Sequence, residues 1–255
     1  MTARRTDAIP GDSPMSSPRP PVLRAPDLVR LRDGEANELA AGEMIEDLRL
    51  AKVDLSSTDL SAVSLLNCRF SEISADDADL TAARLVDCRL ERLSSTYLHS
   101  PRSTWRTVEL TGSRIGAWEL YDTDIESLLI EDCRLGFANL AGTGMSDVLI
   151  RGTRIDELDL SGIEAQRVRF EDCRVGTLRL RGGSLSDVDL RGLEMSVVDG
   201  VDSLAGTTIS GEQLTELAPL MAAHLGLRVE DGREPAPQSA PTRRTGDRTR
   251  GTTDI

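Results

Sequence analysis

The chain has few of the residues from which compact proteins usually build a core. Of its 255 residues only 3% are aromatic and 39% are hydrophobic, so Leu, Ile and Val must supply most of the buried area. No run approaches the roughly 18 apolar residues of a membrane helix. Arg4 and Arg5 precede no apolar segment of the kind found in secretory signals. The sequence therefore predicts no membrane contact and a cytoplasmic location.

Histidine and lysine are also scarce. The two histidines, His99 and His224, lie far apart, and Lys52 is the single lysine. This leaves little room for a histidine-based metal site or a Ser-His-Asp triad, and we expect no cofactor and no enzymatic activity. The formal net charge of −13 argues against direct binding of nucleic acid, which requires neutralisation of phosphates by basic side chains.

What the chain has instead is a period of five residues. Of the 30 positions numbered in multiples of five from Leu50 to Met195, 26 hold Leu, Ile, Val, Met, Phe or Trp. A second inward position lies two residues before each of these centres and is mostly small or apolar. The remaining positions are polar, charged or glycine. Neither a helix nor a long strand has this period.

A short strand of three residues followed by a two-residue bend explains the period. Four such units close a four-sided coil of about 20 residues, and coils stack at the strand spacing of about 4.8 Å, which gives a rod of roughly 36 Å. We therefore expect Leu120, Leu140 and Leu160 to lie above one another. Because Ser95 and Ser100 replace two consecutive centres, the stretch from Ser94 to Thr104 is expected to protect its amides least.

Three units resemble the A(D/N)LXX motif of pentapeptide-repeat proteins. They begin at Ala78, Ala138 and Val188 and read ADLTA, ANLAG and VDLRG. The resemblance covers about residues 46–205 and implies an all-β fold, a right-handed quadrilateral β-helix, with a capping C-terminal α-helix.

The sequence outside the repeat predicts caps and tails. Ser210 to Gln213 fits a capping box, and the apolar residues that follow have helical spacing up to Gly226. A short helix within Glu35 to Ile45 is expected to cover the first coil. The predicted divisions are a disordered arm (1–27), a lead-in and N-terminal cap (28–49), the repeat domain (50–209), a capping helix with a short strand (210–230) and a disordered tail (231–255).

The cysteines and the densest acidic cluster give no metal site. The spacings of Cys68, Cys88, Cys133 and Cys173 match no known zinc pattern, and all four fall in the second inward phase, where small buried residues are expected. The cluster around Asp76 has carboxylates but lacks the loop of a calcium site. We expect no metal and no catalytic residue.

Charge is the remaining functional signal, because outward residues 20 apart share a face. One face carries acids that form a candidate partner-binding surface. Another carries Arg114, Arg134, Arg154 and Arg174, and the flanking pairs Glu131-Asp132 and Glu171-Asp172 are near enough in sequence to neutralise it locally. The acids of the first face could imitate a row of phosphates; an ordinary solubilising surface would have the same composition. The acidic candidates are Asp59, Asp79, Glu119, Asp159 and Asp199.

The C-terminal segment extends the resemblance to the MfpA-type and Qnr-type members of the family. The segment from Ile209 to Leu227, notably Ala222-Ala223-His224, is similar to the MfpA end. That similarity implies a homodimer formed by the C-terminal helix, whereas a monomeric cap is the alternative. The residues assigned to this dimer or cap surface are Leu214, Leu217, Leu220 and Met221.

Two functions are consistent with this sequence. The resemblance implies a DNA-mimicking modulator that binds DNA gyrase and protects it from fluoroquinolones. The alternative is a protein-interaction scaffold or adaptor that has no role at gyrase.

Overall fold

The fold is that of a computed structural model, which describes residues 17–230. The expectations for residues 1–16 and for the tail, 231–255, lie outside the described residues. Within them the chain winds through about nine coils and ends in one helix. The 20-residue coil is confirmed by the strand register, because Ile115 pairs with Leu135 and Leu135 with Ile155 in parallel.

The strands form two parallel sheets, one of 12 strands and one of 7. The 7-stranded sheet contains the even-numbered strands from β6 to β18, and the other strands belong to the larger sheet. The strands are β1 (Arg32–Asp33), β2 (Met44–Glu46), β3 (Leu48–Ala51), β4 (Ser64–Leu66), β5 (Arg69–Ser71), β6 (Ala78–Asp79), β7 (Arg84–Glu91), β8 (Ser94–His99), β9 (Thr104–Thr111), β10 (Arg114–Glu119), β11 (Asp124–Glu131), β12 (Arg134–Asn139), β13 (Gly144–Arg151), β14 (Arg154–Asp159), β15 (Glu164–Glu171), β16 (Cys173–Arg179), β17 (Ser184–Asp189), β18 (Leu193–Asp199) and β19 (Thr207–Thr208).

The centres of the period form one continuous core along the coil. Leu120, Leu140 and Leu160 are all buried in it, as the period requires. Burying each aliphatic side chain contributes about 1.5–3 kcal/mol, and no single coil can bury its centres without its neighbours. The five-residue period therefore specifies the whole column.

The serine centres are accommodated by two tryptophans. The indole N–H of Trp118 donates to Ser100 Oγ at 2.8 Å, and that of Trp105 donates to Ser103 Oγ at 2.8 Å. The two rings lie 5.4 Å apart, while Ser95 Oγ donates to the Ala75 carbonyl. The large rings fill the volume that the small centres leave, and the hydroxyls satisfy the buried N–H groups.

Most corners of the coil pass through left-handed backbone at non-glycine residues. Nineteen such residues have φ between 50° and 59°, a region that costs about 1–2 kcal/mol per residue outside glycine. One set of these residues, which we call the corner column, recurs every 20 residues in the larger sheet. At the start of the rod its backbone amides donate to carbonyls of the next coil, as the Asp47 amide does to the Leu66 carbonyl. The corner column is Asp47, Asn67, Asp87, Thr107, Ser127, Asp147, Arg167 and Asp187.

The N-terminal segment differs from the expectation of disorder. Residues 17–27, the N-terminal strap, run back along the coils and are held by three amides. Arg19 N donates to Asp187 Oδ1 at 3.0 Å, Val22 N to Asp147 Oδ1 at 2.9 Å and Arg24 N to Ser127 Oγ at 2.8 Å. Composition alone did not indicate this contact, because proline also suits an extended segment laid on a surface.

The start of the coil also differs from the prediction. β1 already pairs with β3, so the chain enters the first coil at Arg32 instead of at residue 50. The expected helix between Glu35 and Ile45 is a single 3₁₀ turn, Ala36–Glu38. Leu39, Ile45 and Leu48 are buried, which is why coiling begins this early.

The C-terminal helix caps the other end. α1 (Gly211–His224) begins with the predicted capping box, in which Ser210 and Gln213 exchange side-chain and backbone hydrogen bonds. The Gln213 amide group also donates to the carbonyls of Leu190 and Leu193, each at 2.7 Å. The short strand expected after the helix is absent from residues 227–230, since the apolar residues there are exposed and pair with nothing described.

Candidate protein-binding surface

The structure brings all five acidic candidates into one outward column. Strand register stacks residue on residue from Asp59 to Asp199, and we call this set the acidic column. Three residues that are not acidic interrupt it: His99, Asn139 and Arg179. Successive side chains are spaced by about 4.8 Å, so the column is a discontinuous line of negative charge along the rod.

Three of these carboxylates have a local hydrogen-bonding role. Oδ1 of Asp59, Asp79 and Asp159 accepts the amide N–H two residues further on, at 3.0, 2.8 and 2.9 Å. The hydroxyl and amide of Ser61 hold the pKa of the Asp59 carboxyl below its usual value. The Asp59 carboxyl is therefore held in its ionised form.

The other two acids have side-chain partners. Glu119 accepts a hydrogen bond from Asn139 Nδ2 at 2.7 Å, and Asp199 forms an ion pair with Arg181 at 2.7 Å. Tyr97 lies near Glu119, and burial together with that negative charge raises the pKa of the Tyr97 phenol. The strongest negative potential therefore lies at the early end of the column, at Asp59 and Asp79.

The arginine column lies on the neighbouring face. Arg114, Arg134, Arg154 and Arg174 are in register on β10, β12, β14 and β16. The expected neutralisation by Glu131 and Glu171 is wrong, because both acids pair with Arg151. Within residues 17–230, neither Arg114 nor Arg134 has an acidic partner within 4.0 Å, while Arg174 pairs with Glu194.

The structure divides the dimer or cap set between two directions. Leu217 is buried and Met221 packs against the core, so both residues seal the last coil. Leu214 and Leu220 remain 50% and 43% exposed. The helix therefore closes the rod with the face that carries Leu217, and Leu214 and Leu220 flank that face, about 120° apart around the helix.

The described part of the chain contains no cluster of metal ligands, and its cysteines are enclosed in the core. Among residues 17–230, no three His, Cys, Asp or Glu side chains converge as metal ligands. The four cysteines are free and buried, and burial raises the pKa of the Cys133 thiol to about 11. A thiol that holds its proton is a poor nucleophile. In the same residues, no helix has both the length and the apolarity to span a bilayer.

Sequence reasoning missed three features. The strap contacts, the Trp118–Ser100 pair in the core and the close approach of backbones at Gly116 and Gly136 all depend on residues 18 or more positions apart. The Leu129–Leu149 pair was the available signal for the strap: these residues are apolar in an outward column that otherwise carries charge.

Comparison with known proteins supports the architecture. Residues 54–92 match the family model for pentapeptide repeats with eight copies. No curated protein matches the chain. Among solved structures, QnrB1, a plasmid-mediated fluoroquinolone resistance protein, is 15% identical over 74% of this chain and 99% of its own, with a TM-score of 0.34.

A second similar structure is HetL, a pentapeptide-repeat protein involved in heterocyst differentiation regulation in the cyanobacterium Nostoc. It is 14% identical over 66% of this chain and 90% of its own, with a TM-score of 0.30. Both TM-scores are too low to support any argument about function. The repeat match over residues 54–92 and the 20-residue register together show that the chain contains pentapeptide repeats and has a β-helix fold.

Proposed function

We propose that this chain is a non-catalytic binding protein that imitates DNA and modulates DNA gyrase. The observation that carries the proposal is the acidic column, because ionised carboxylates at regular spacing resemble a row of phosphates to a basic groove. A net charge of −13 adds long-range attraction to such a groove. The resemblance of the repeat and of the C-terminal segment to Qnr-type and MfpA-type proteins supports gyrase as the partner.

A twofold dimer would join two acidic columns into a longer line of negative charge. Leu214 and Leu220 are exposed apolar residues at the two edges of the face of α1 that seals the rod, and joining two helices through either edge would place two acidic columns in one assembly. We expect Leu214→Asp with Leu220→Asp to give a monomer in sedimentation equilibrium. Glu212→Gln with Glu216→Gln, on the same helix, should leave the dimer intact.

Gyrase supercoiling, with and without a fluoroquinolone, tests the function. The sharpest variant is Asp59→Asn with Asp79→Asn and Asp159→Asn, because asparagine keeps the local acceptor oxygen and removes the charge. The matched control is Glu43→Gln with Glu46→Gln and Glu164→Gln, three exposed acids outside the acidic column. We expect the wild type and the control to alter supercoiling, the column variant to lose the effect, and added salt to weaken it.

The second candidate is a scaffold or adaptor. It is favoured by the local bonds of Asp59, Asp79 and Asp159, which give these acids a structural reason to be present. No change in supercoiling at micromolar protein, or equal effects of the column variant and the control, would contradict the gyrase proposal and favour the adaptor.

A further inference from the structure

The strap has an extended conformation that matches the geometry of the coils. Its anchors at Arg19 and Arg24 reach residues three coils apart, Asp187 and Ser127. Five residues of polyproline II helix rise about 15.5 Å, and three coil spacings are about 14.4 Å. Pro20 and Pro21 lie between the first two anchors and have no N–H group to leave unsatisfied. A proline-rich chain can therefore run along the rod so that the N–H groups of its non-proline residues have the same spacing as the coils.

The acceptors belong to a preformed part of the coil. Asp147 and Ser127 are left-handed corner residues, and Asp147 is fixed by two bonds to Arg167 at 2.6 and 2.7 Å. Asp187 accepts both the amide and the guanidinium of Arg19, the latter at 2.7 Å. Backbone geometry and ion pairing thus orient these oxygens towards a peptide lying outside the coil.

An apolar pair lies beside these acceptors. Leu129 and Leu149 stack in an outward column that otherwise carries Arg or acidic side chains, such as Arg89 and Glu109. Leu149 is 7% exposed although it does not belong to the core cluster. On the strap, Pro21 and Leu23 are half-buried and Pro26 is buried, whereas Val22 is exposed. The apolar residues of the strap therefore face the rod at this height.

We propose that Ser127, Leu129, Asp147, Leu149 and Asp187 form a strap groove, a docking site for an extended proline-containing segment of a partner protein. Residues 17–27 are its resident occupant and show which chemistry it accepts: an arginine for Asp187, and amide donors for Asp147 and Ser127 at coil spacing. A partner segment binds when it displaces the strap. The groove lies on another side of the rod from the acidic column, so its use is independent of gyrase.

Fluorescence anisotropy with a labelled synthetic peptide of residues 17–27 tests the proposal on the full chain. In the wild type the tethered strap competes at an effective concentration of roughly millimolar, so the peptide should bind weakly. Arg19→Ala with Leu23→Ala weakens the tethered strap, and we expect the peptide to bind this variant about tenfold more tightly. Arg30→Ala, an exposed arginine outside the strap, should behave as the wild type.

Groove variants provide the opposite test. Leu149→Arg or Asp187→Asn, added to the weakened-strap variant, should reduce peptide affinity about tenfold, the loss of one buried contact or charge-assisted bond. Circular dichroism establishes that each variant keeps the coil. Equal peptide affinity in the wild type and the weakened-strap variant, or no loss on groove substitution, would overturn the proposal. So would dimers formed by strap exchange between two copies, seen by native mass spectrometry, because the groove would then serve self-association.

Discussion

The early coils, residues 44–83, and the later coils, residues 84–199, turn the same corner in different ways. In the early coils the corner between the arginine face and the acidic face passes through left-handed Ser57 and Asp77, with φ of 55° and 57°, and only isolated bridges flank it. In the later coils the corner has no positive φ at Tyr97, Ala117 or Phe137, and six-residue strands run across it.

Glycine marks the closest approach at this corner in three of the later coils. A Cβ at Gly116 would lie 2.4 Å from the Thr96 carbonyl oxygen, one at Gly136 would lie 2.3 Å from the Gly116 oxygen, and one at Gly176 would lie 2.5 Å from the Asp156 oxygen. Thr96 and Asp156 occupy the same position in β8 and β14, so the continuous strand accommodates glycine without requiring it. The family match, residues 54–92, covers mainly the early form, yet the 20-residue register continues beyond it. The coil is therefore maintained by its buried aliphatic centres and does not depend on one backbone conformation at this corner.

The largest effect is expected from Gly136→Val. The new side chain would meet the backbone of the coil below, and overpacking of this kind costs about 3 kcal/mol. Thermal unfolding followed by circular dichroism measures the loss. The matched early-coil change is Ser56→Ala, which removes one exposed hydrogen bond to the Asp76 amide and should cost about 0.5 kcal/mol. Equal losses would mean that the two corners do not differ in packing.

Ser100→Ala should destabilise the later coils through a buried donor. The Trp118 indole N–H would lose its acceptor, at a cost of about 1–3 kcal/mol. The control is Ser95→Ala, which removes the hydroxyl that donates to the Ala75 carbonyl. This change leaves an acceptor without that bond, and no buried N–H group loses its partner. A smaller loss for Ser100→Ala than for Ser95→Ala would contradict this account of the tryptophan pair.

Acid should release the strap from the later coils. Arg167 and the Val22 amide hold the pKa of Asp147 below its ordinary value of 3.8, and Arg19 does the same for Asp187. A carboxyl with a lowered pKa in the folded state stabilises that state above the ordinary value and loses this contribution as the pH falls through the lowered pKa.

Hydrogen exchange at the Val22 amide measures this release. Its protection should persist at pH 5 and fall below about pH 4, while the Asp47 amide, which bonds to Leu66 in the early coils, should keep its protection longer. Simultaneous loss at both amides would indicate global unfolding instead.

A smaller effect than that of Gly136→Val is expected from Gly142→Ala, because the nearest atom to a Cβ there, at 2.5 Å, is the side-chain Oδ1 of Asp122 and not backbone. Gly142 has φ of 68° and shares its column with Ala82, where alanine already adopts φ of 57°. Alanine at residue 142 should therefore cost about 1 kcal/mol, and Ala82→Gly should change stability by a similar amount in the opposite direction. Chemical denaturation of both variants checks the pair, and a loss as large as that of Gly136→Val would contradict the distinction between corners.

The sequence predicts the coil because one local rule repeats in every unit. The period identified the core centres, and the Ser210 to Gln213 signature identified the helix, since capping depends on neighbouring residues. The strap was missed because its partner residues lie more than 100 positions away, as Arg24 and Ser127 do. The acidic column follows from spacing, but the local bonds of Asp59 required coordinates.

Distances between spin labels on the acidic column test the central claim, that residues 20 apart stand directly above one another. The native cysteines are buried, so labels attach to introduced surface cysteines. The pair Asp79→Cys and Asp159→Cys spans four coils and should give about 19 Å, and the pair Asp59→Cys and Asp199→Cys spans seven and should give about 34 Å. Distances in the ratio of four to seven would support the stacked column, and distances that do not scale with the number of coils would contradict it.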